Sequence, residues 1–149
     1  MDLIIELMKS TYLLRPEIIE KTMAKIWRRY QSLLDNSKNI EELWEARAYL
    51  YIIGYLYPEE FGPEAIGRRL KYLRKPLTLL EFLDMIDRKK IDKEHKSDPL
   101  FAKLERLYRV IKKYKQLVKN NSYLDETRFN EKERRLIGNK NSRKIAMGF

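Results

Sequence analysis

Hydrophobic side chains recur every three to four residues along most of the chain, and no segment alternates as a β-strand would. The clearest stripe begins at Pro99 and is predicted to end near Asn120. A second stripe begins at Pro16, which suits the first turn of a helix because its missing N–H would have no partner there. We therefore predict an all-α fold, a compact bundle of five to six helices.

Local start signals define the boundaries of these helices. Asn39 and Thr78 each stand three residues before a glutamate, which is the capping-box pattern, and Asp98 before Pro99 combines an N-cap with proline at the first position. Together with the apolar periods, these signals predict helices over residues 2–12, from 16 onward, over 40–56, 63–75, 79–90 and 99–120, and between 130 and 138. Residues 91–98 are predicted as a polar loop. Residues 1–138 are expected to form one domain, followed by a basic tail over 139–149.

The segment from Tyr49 to Tyr57 is apolar or aromatic on every side. A helix of this kind is expected to lie at the centre of a bundle, surrounded by neighbours. Tyrosine combines a large apolar ring with one hydroxyl group that needs a hydrogen-bond partner. We therefore assign these tyrosines to the core and to contacts with another protein subunit, with Tyr51, Tyr55 and Tyr57 as the partner-binding candidates.

Positive charge is concentrated in the C-terminal part of the chain. Residues 1–60 contain 8 Lys/Arg and 10 Asp/Glu, whereas residues 61–149 contain 24 Lys/Arg and 12 Asp/Glu. The net charge of the whole chain is +10, so nearly all of the basic excess lies beyond residue 60. This asymmetry predicts a polyanionic partner, with nucleic acid first, and leaves DNA and RNA open.

Three segments carry the cations. In the helix that begins at Pro99, seven Lys/Arg stand opposite the apolar stripe, and Glu105 is the only acid before Asn120. Like charges along one helix destabilise it, so neutralisation by phosphates is the function that they predict. The helix over 63–75 and the C-terminal end repeat the pattern. The predicted nucleic-acid-binding residues are Arg68, Arg69, Lys71, Arg74, Lys75, Arg106, Arg109, Lys112, Lys113, Lys115, Lys119, Arg134, Arg135, Lys140, Arg143 and Lys144.

The resulting hypothesis is a non-enzymatic helical subunit that binds the phosphate backbone, largely independently of base sequence, within a larger protein–nucleic acid assembly. One alternative is an accessory subunit whose basic surface docks on an acidic protein. A second is a helix-turn-helix DNA-binding regulator over residues 63–86, although the connection at 74–77 contains no glycine. A third is attachment of the helix from Pro99 to a membrane surface. Base stacking on aromatic residues near the cations is also open. Of these residues, Tyr108 and Tyr114 fall on the apolar stripe and are expected in the core. The full set of candidates is Tyr72, Tyr108, Tyr114, Phe129 and Phe149.

The sequence does not indicate catalysis. It contains no cysteine, no glycine-rich phosphate loop, no nucleophile elbow and no zinc-ligand spacing. His95, the single histidine, falls in the predicted polar loop and is expected to be exposed to solvent. Asp84 and Asp87 precede a run of three cations over 88–90, which favours ion pairs over metal ligation. We predict a protein that is not an enzyme and uses no cofactor, metal or small-molecule substrate.

Two further features bear on location. Acidic residues at positions 2 and 6 stand where an export signal needs positive charge. The longest apolar run, over residues 49–57, is about half the length that a membrane-spanning helix requires. We therefore expect a soluble, cytoplasmic protein that does not associate with a membrane.

Overall fold

Across residues 2–146, the part of the chain described by a computed structural model, every regular element is helical, and side chains are described for residues 2–138. The predicted all-α bundle is confirmed. The helices are α1 (Asp2–Tyr12), α2 (Pro16–Asn36), α3 (Ile40–Tyr51), α4 (Tyr57–Phe61), α5 (Pro63–Arg69), α6 (Leu79–Arg88), α7 (Lys93–Lys96) and α8 (Pro99–Ala146). A π-helical turn over Ile52–Leu56 joins α3 to α4, and a 3-10 turn over Leu70–Tyr72 follows α5.

The core lies where α2, α3 and α8 pack against one another, and α1 covers another side of α2. The stripe predicted for α2 is buried, with Ile19, Met23 and Ile26 fully covered. From α8, Leu104 and Leu107 enter the same core. Because α2 turns its apolar stripe towards the core, its exposed side carries polar and charged residues.

The expectation that neighbouring helices surround the tyrosine-rich segment over residues 49–57 on all sides is wrong. Tyr49 and Tyr57 are buried, but Tyr51 and Tyr55 are exposed, because α2 and α8 cover only part of the helix surface. The Tyr57 hydroxyl group lies 2.7 Å from Oγ1 of Thr11, inside the core. The prediction that Tyr57 contacts a partner is therefore also wrong.

Gly54, in the π-helical turn, allows α8 to approach the backbone closely. A Cβ atom at this position would lie 2.6 Å from Cγ1 of Val118, well inside van der Waals contact. The glycine therefore sets the level at which the tyrosine-rich helix crosses α8. π-helical turns recur at functional sites, where the extra residue changes the direction of neighbouring side chains.

The helix that begins at Pro99 is much longer than predicted. It does not end at Asn120 and is not followed by a separate helix; α8 continues for 48 residues, roughly 72 Å at ~1.5 Å per residue. Polar contacts with distant parts of the chain support the segment whose apolar period is weak. The Tyr30 hydroxyl group donates to the buried Asp125 carboxylate, and Arg47 donates to Oε2 of Glu133 at 2.7 Å. The backbone stays helical into the segment predicted as a tail, as far as Ala146.

The predicted N-caps are confirmed, and one of the two predicted capping boxes is complete. Thr78 and Glu81 form a complete capping box at the start of α6, and Oδ1 of Asn39 accepts the Glu42 N–H at 2.9 Å. The carboxylate of Glu42 accepts the N–H of Lys38 rather than that of the cap residue. Such signals can be read from sequence because all of their atoms lie within four residues of one another.

Asp98 is buried and connects two segments at the start of α8. Its Oδ1 accepts the N–H of Leu100 at 3.0 Å, as the N-cap prediction requires, and its Oδ2 accepts the N–H of Arg74 at 2.9 Å. The bond from the Arg74 backbone, more than that from Leu100, holds the pKa of Asp98 below its usual value, although burial opposes this effect. The carboxylate therefore ties the connection before α6 to the start of α8.

We expect Asp98→Asn to lower the free energy of unfolding by about 1–3 kcal/mol at neutral pH, since it weakens two bonds to a buried charge. The pKa in the folded state lies below the unfolded value of about 3.9, so this stabilisation is fully present above pH ~3.9 and is lost as the pH falls through the folded pKa. Urea unfolding of both proteins at neutral pH and at pH ~2.5 measures the difference. A difference that stays constant with pH would contradict the role of the carboxylate charge.

Candidate nucleic-acid interface

The structure confirms that the apolar stripe of α8 is buried from Phe101 to Val118. The basic residues of this part of α8 lie on the opposite side of the helix. Tyr114 is buried, and Tyr108 is half-buried with its ring 6.1 Å from that of Phe82. Phe129, another candidate for base stacking, is buried too. These three rings therefore serve the core, whereas Tyr72 is exposed and Phe149 lies outside the described residues.

Three of the predicted cations on α8 are ion-paired. Arg106 bonds Glu17 and Glu20 of α2 at 3.3 and 3.2 Å. Arg109 pairs with Glu105 within α8 at 3.3 Å, and Nζ of Lys112 lies 3.6 Å from Asp87 of α6. The expectation that the cations of α8 face one another without neutralisation is therefore wrong for these three. Three of their four partners, Glu17, Glu20 and Asp87, come from other helices, which the sequence could not show.

Lys113, Lys115 and Lys119 have no acidic partner among the residues whose side chains are described, and all three are exposed. We refer to them as the unpaired lysines of α8. They lie within about 9 Å along the helix axis, in a stretch from Arg106 to Leu124 that contains no Asp or Glu. No acid within this stretch therefore compensates its positive charge.

Arg28 of α2 is a candidate that sequence reasoning missed. Burial, and then the charge of Glu20, raise the pKa of the Tyr114 hydroxyl, whereas the nearby positive charge of Arg28 lowers it. Nζ of Lys113 lies 5.5 Å from the centroid of the same ring. The acidic total of residues 1–60 concealed this site, although Arg28 stands seven residues after Lys21 on the polar side of its own helix.

The basic cluster after Pro63 divides into structural and free cations. The half-buried guanidinium of Arg69 donates to the carbonyl of Thr11 at 3.0 Å, and burial more than its neighbour Arg68 lowers its pKa. Arg69 therefore caps the C-terminal end of α1, and its assignment to nucleic acid is wrong. Lys75 pairs with Glu94 at 3.3 Å. The side chains that remain exposed without an acidic partner in the described structure are Arg68, Lys71 and Arg74.

Near the end of the described side chains, the cations of α8 face the C-terminal end of α2. Arg128 pairs with Asp35, and Nζ of Lys132 lies 3.5 Å from the Ser37 hydroxyl group. Burial, and then the charges of Arg128 and Arg135, lower the pKa of Lys132. Cations are favourable at this end of a helix dipole, so they stabilise the packing of α8 on α2. Of the other predicted residues here, Arg134 and Arg135 are exposed, and the side chains of Lys140, Arg143 and Lys144 lie outside the described residues.

The residues considered for catalysis have structural partners. His95 is buried, not exposed as predicted, with Nε2 3.1 Å from the Lys75 carbonyl and its ring packed on Phe101. Short helix α7 forms where a loop was predicted and holds this histidine inside. Asp84 pairs with Arg88 at 2.9 Å, as the sequence indicated. Within the described residues no group of three or more His, Asp or Glu is placed to hold a metal ion.

The structure bears on the helix-turn-helix alternative at one connection. The chain between the 3-10 turn after α5 and the start of α6 runs over residues 73–78, longer than the turn of three to four residues in a helix-turn-helix motif. In the region that the structure describes, no helix is both long enough and apolar enough to cross a membrane.

No protein-family model matches this chain, and no curated protein or solved structure is significantly similar to it. The exposed and unpaired side chains described above are therefore the guide to the function of this protein.

Proposed function

We propose that this protein is a non-enzymatic helical subunit that binds the phosphate backbone of nucleic acid through α8. One observation carries this proposal: the stretch of α8 from Arg106 to Leu124 contains no acid, and its lysines at 113, 115 and 119 form no ion pair in the described structure, whereas Arg106, Arg109 and Lys112 do. A solvated helix face usually mixes charges of both signs, since opposite charges at i, i+4 stabilise a helix. Closely spaced lysines without acidic partners repel one another, and this repulsion is relieved when an anionic partner binds and supplies the missing negative charge.

Binding of this kind depends on salt and not on base sequence. Each lysine that contacts a phosphate releases condensed counterions, so the logarithm of the affinity falls linearly with the logarithm of the salt concentration. The exposed cations carry flexible ammonium groups, which act as point charges, and a lysine that meets only phosphates reads no base edges. The protein is therefore expected to bind unrelated sequences with similar affinity.

Titration of unrelated DNA and RNA oligonucleotides at several salt concentrations tests the proposal. We expect a slope of log affinity against log salt of about −2 to −3 from the three unpaired lysines, and steeper if the cations near α5 also take part. Affinity that does not change with salt, or strong preference for one base sequence, would contradict it. Absence of binding in low salt would refute it outright.

An exposed apolar patch on α1 supports the role of a subunit. Ile5, Met8, Tyr12 and Leu13 are between 50 and 80% exposed. The last three, together with Lys9 and Phe61, border a shallow surface cavity of about 400 Å³. A contiguous apolar patch of this kind marks a contact surface for another protein. We propose that the protein docks on its assembly here, while α8 remains available for nucleic acid.

Affinity capture from native extract, after nuclease digestion, checks this docking role. We expect Met8→Glu combined with Leu13→Glu to lose a captured protein that the wild type retains, because a charged group in an apolar contact is costly to desolvate. A variant with the unpaired lysines of α8 replaced by glutamine serves as the control and should retain it. If the lysine variant loses the protein and the α1 variant keeps it, the partner is an acidic protein bound at α8.

A further inference from the structure

Two exposed tyrosines form a pair on the open side of the tyrosine-rich helix. The rings of Tyr51 and Tyr55 lie 6.0 Å apart between centroids, with 28° between their planes, and their residues are 56 and 53% exposed. Trp44, also about half-exposed, stands seven residues before Tyr51, which places it on the same stripe two turns earlier. Large rings are costly to leave in water, so a stripe of three indicates a contact surface.

The side of α8 next to this stripe carries two of the unpaired lysines. Arg47, one turn before Tyr51, reaches across to Asn130 and Glu133. Lys119 precedes Asn130 by 11 residues, so the two lie within about 20° of each other on the helix surface, and Lys115 lies one turn further back. The Arg47 contacts thus identify the side of α8 that borders the tyrosine stripe, and this side bears both lysines.

The crossing at Gly54 places the lysines at the level of the tyrosines. Gly54 approaches Val118 most closely, and Tyr55 is the next residue along the helix while Lys119 is the next residue along α8. Because Arg47 meets Glu133 while Gly54 meets Val118, the two helices run antiparallel. Tyr51 and Lys115 therefore each lie about one turn from the crossing but on opposite sides of it, with Lys119 on the side of Tyr51 and Tyr55 on the side of Lys115. The π-helical turn over Ile52–Leu56 contains Tyr55, and Tyr51 is the last α-helical residue before it.

We propose that the surface formed by the tyrosine stripe and the neighbouring side of α8 binds single-stranded nucleic acid, with bases stacked on Tyr51 and Tyr55 and phosphates held by Lys115 and Lys119. The inference rests on the proposed function and narrows its ligand to a single strand with unpaired bases. Aromatic platforms beside cations are the recurrent design of sequence-tolerant single-strand sites, because every base has a face that can stack. Lysine is depleted in protein–protein interfaces, so the two unpaired lysines favour nucleic acid over a protein at this surface.

Charge also limits how far the strand extends along this surface. Towards Arg47, the exposed Glu126 lies seven residues beyond Lys119 on the same side of α8, and Glu133 is already paired. In the other direction Lys112 is paired with Asp87 at 3.6 Å. The uncompensated positive charge beside the tyrosines is therefore that of Lys115 and Lys119.

Three probes of equal length, roughly 12 nucleotides and so within the ~4–16 that one small domain covers, separate the two proposals without any mutation. They are an oligothymidylate, an abasic strand with the same backbone, and a duplex. We expect the wild type to bind the oligothymidylate at least about 30-fold more tightly than the abasic strand, given the usual contribution of two stacked bases. Equal affinity for these two probes would overturn stacking and leave backbone binding intact. Failure to bind any probe would refute the proposed function itself.

Substitutions then locate the effect. Tyr51→Leu with Tyr55→Leu is expected to weaken oligothymidylate binding by about 30-fold or more, while affinity for the abasic strand and the salt slope stay unchanged. Phenylalanine at both positions should retain binding, because the ring is what stacks. A control that replaces an exposed tyrosine away from the predicted nucleic-acid-binding residues, Tyr12→Leu, should have no effect on binding of the oligothymidylate. Stacking is overturned if the control weakens binding equally, or if the Tyr51/Tyr55 variant binds as the wild type does and only a protein partner is lost.

Discussion

Leu107→Ala is expected to lower the free energy of unfolding by about 2–5 kcal/mol, the usual cost of truncating a leucine in a packed core. The residue is fully buried where α8 packs against the bundle, so its removal leaves a cavity that the surrounding helices fill only in part. Because a domain of this size is stabilised by only ~5–15 kcal/mol in total, the change should be plain in urea unfolding and in thermal melts.

Leu124→Ala provides the matched control for this prediction. It makes the same substitution on the same helix, at a leucine that is 63% exposed. We expect it to change the free energy of unfolding by no more than about 0.5 kcal/mol. Equal destabilisation by the two substitutions would mean that α8 does not pack through the side on which Leu107 lies.

Replacing the three unpaired lysines of α8 with glutamine should weaken nucleic-acid binding on the order of 10²-fold at ~0.1 M salt. Each lost phosphate contact removes about 0.7–0.9 from the salt slope, so the slope should fall by roughly 2–3. Folding should be unaffected, since Lys113, Lys115 and Lys119 are exposed and form no ion pair in the described structure. Binding isotherms at several salt concentrations, beside a thermal melt, measure both quantities.

A second triple variant of the same helix tests whether position or net charge matters. Arg106→Gln, Arg109→Gln and Lys112→Gln remove the same total charge, but from side chains that already have acidic partners. We expect a clearly smaller loss of affinity from this variant than from the unpaired lysines. If both variants lose affinity equally, binding depends on net charge alone. If neither variant loses affinity, α8 does not bind nucleic acid, and the cations near α5 become the candidates.

How much could be predicted from the sequence depended on the range of the interaction. Thr78 with Glu81, Asn39 and the start of α8 at Asp98 were predicted correctly, because the bonds that form a helix cap join near neighbours in the chain. The end of α8 was not, because Asp125 is paired with Tyr30 across 95 residues. No local pattern contains such a contact.

The interface shows the same limit. The sequence listed the cations of α8, but it could not show that Arg106 meets Glu17 and Glu20 while Lys115 meets no acid. It also assigned Arg69 to a ligand, whereas the fold places this side chain on the end of α1. Compensation of a charge depends on which helices become neighbours, and this follows from packing in three dimensions.

The sequence by itself determined the helical class of the fold, the starts of the main helices and the excess of positive charge, because periodicity, capping and composition are properties of the chain. Only the tertiary structure decided which lysines stay unpaired, that Tyr57 and His95 are buried, and that the rings of Tyr51 and Tyr55 stack on each other at the surface. These outcomes depend on the side from which each helix is covered. Which side is covered is determined by the packing of α2, α3 and α8, which bury their apolar stripes together. The sequence of a single helix does not specify this packing.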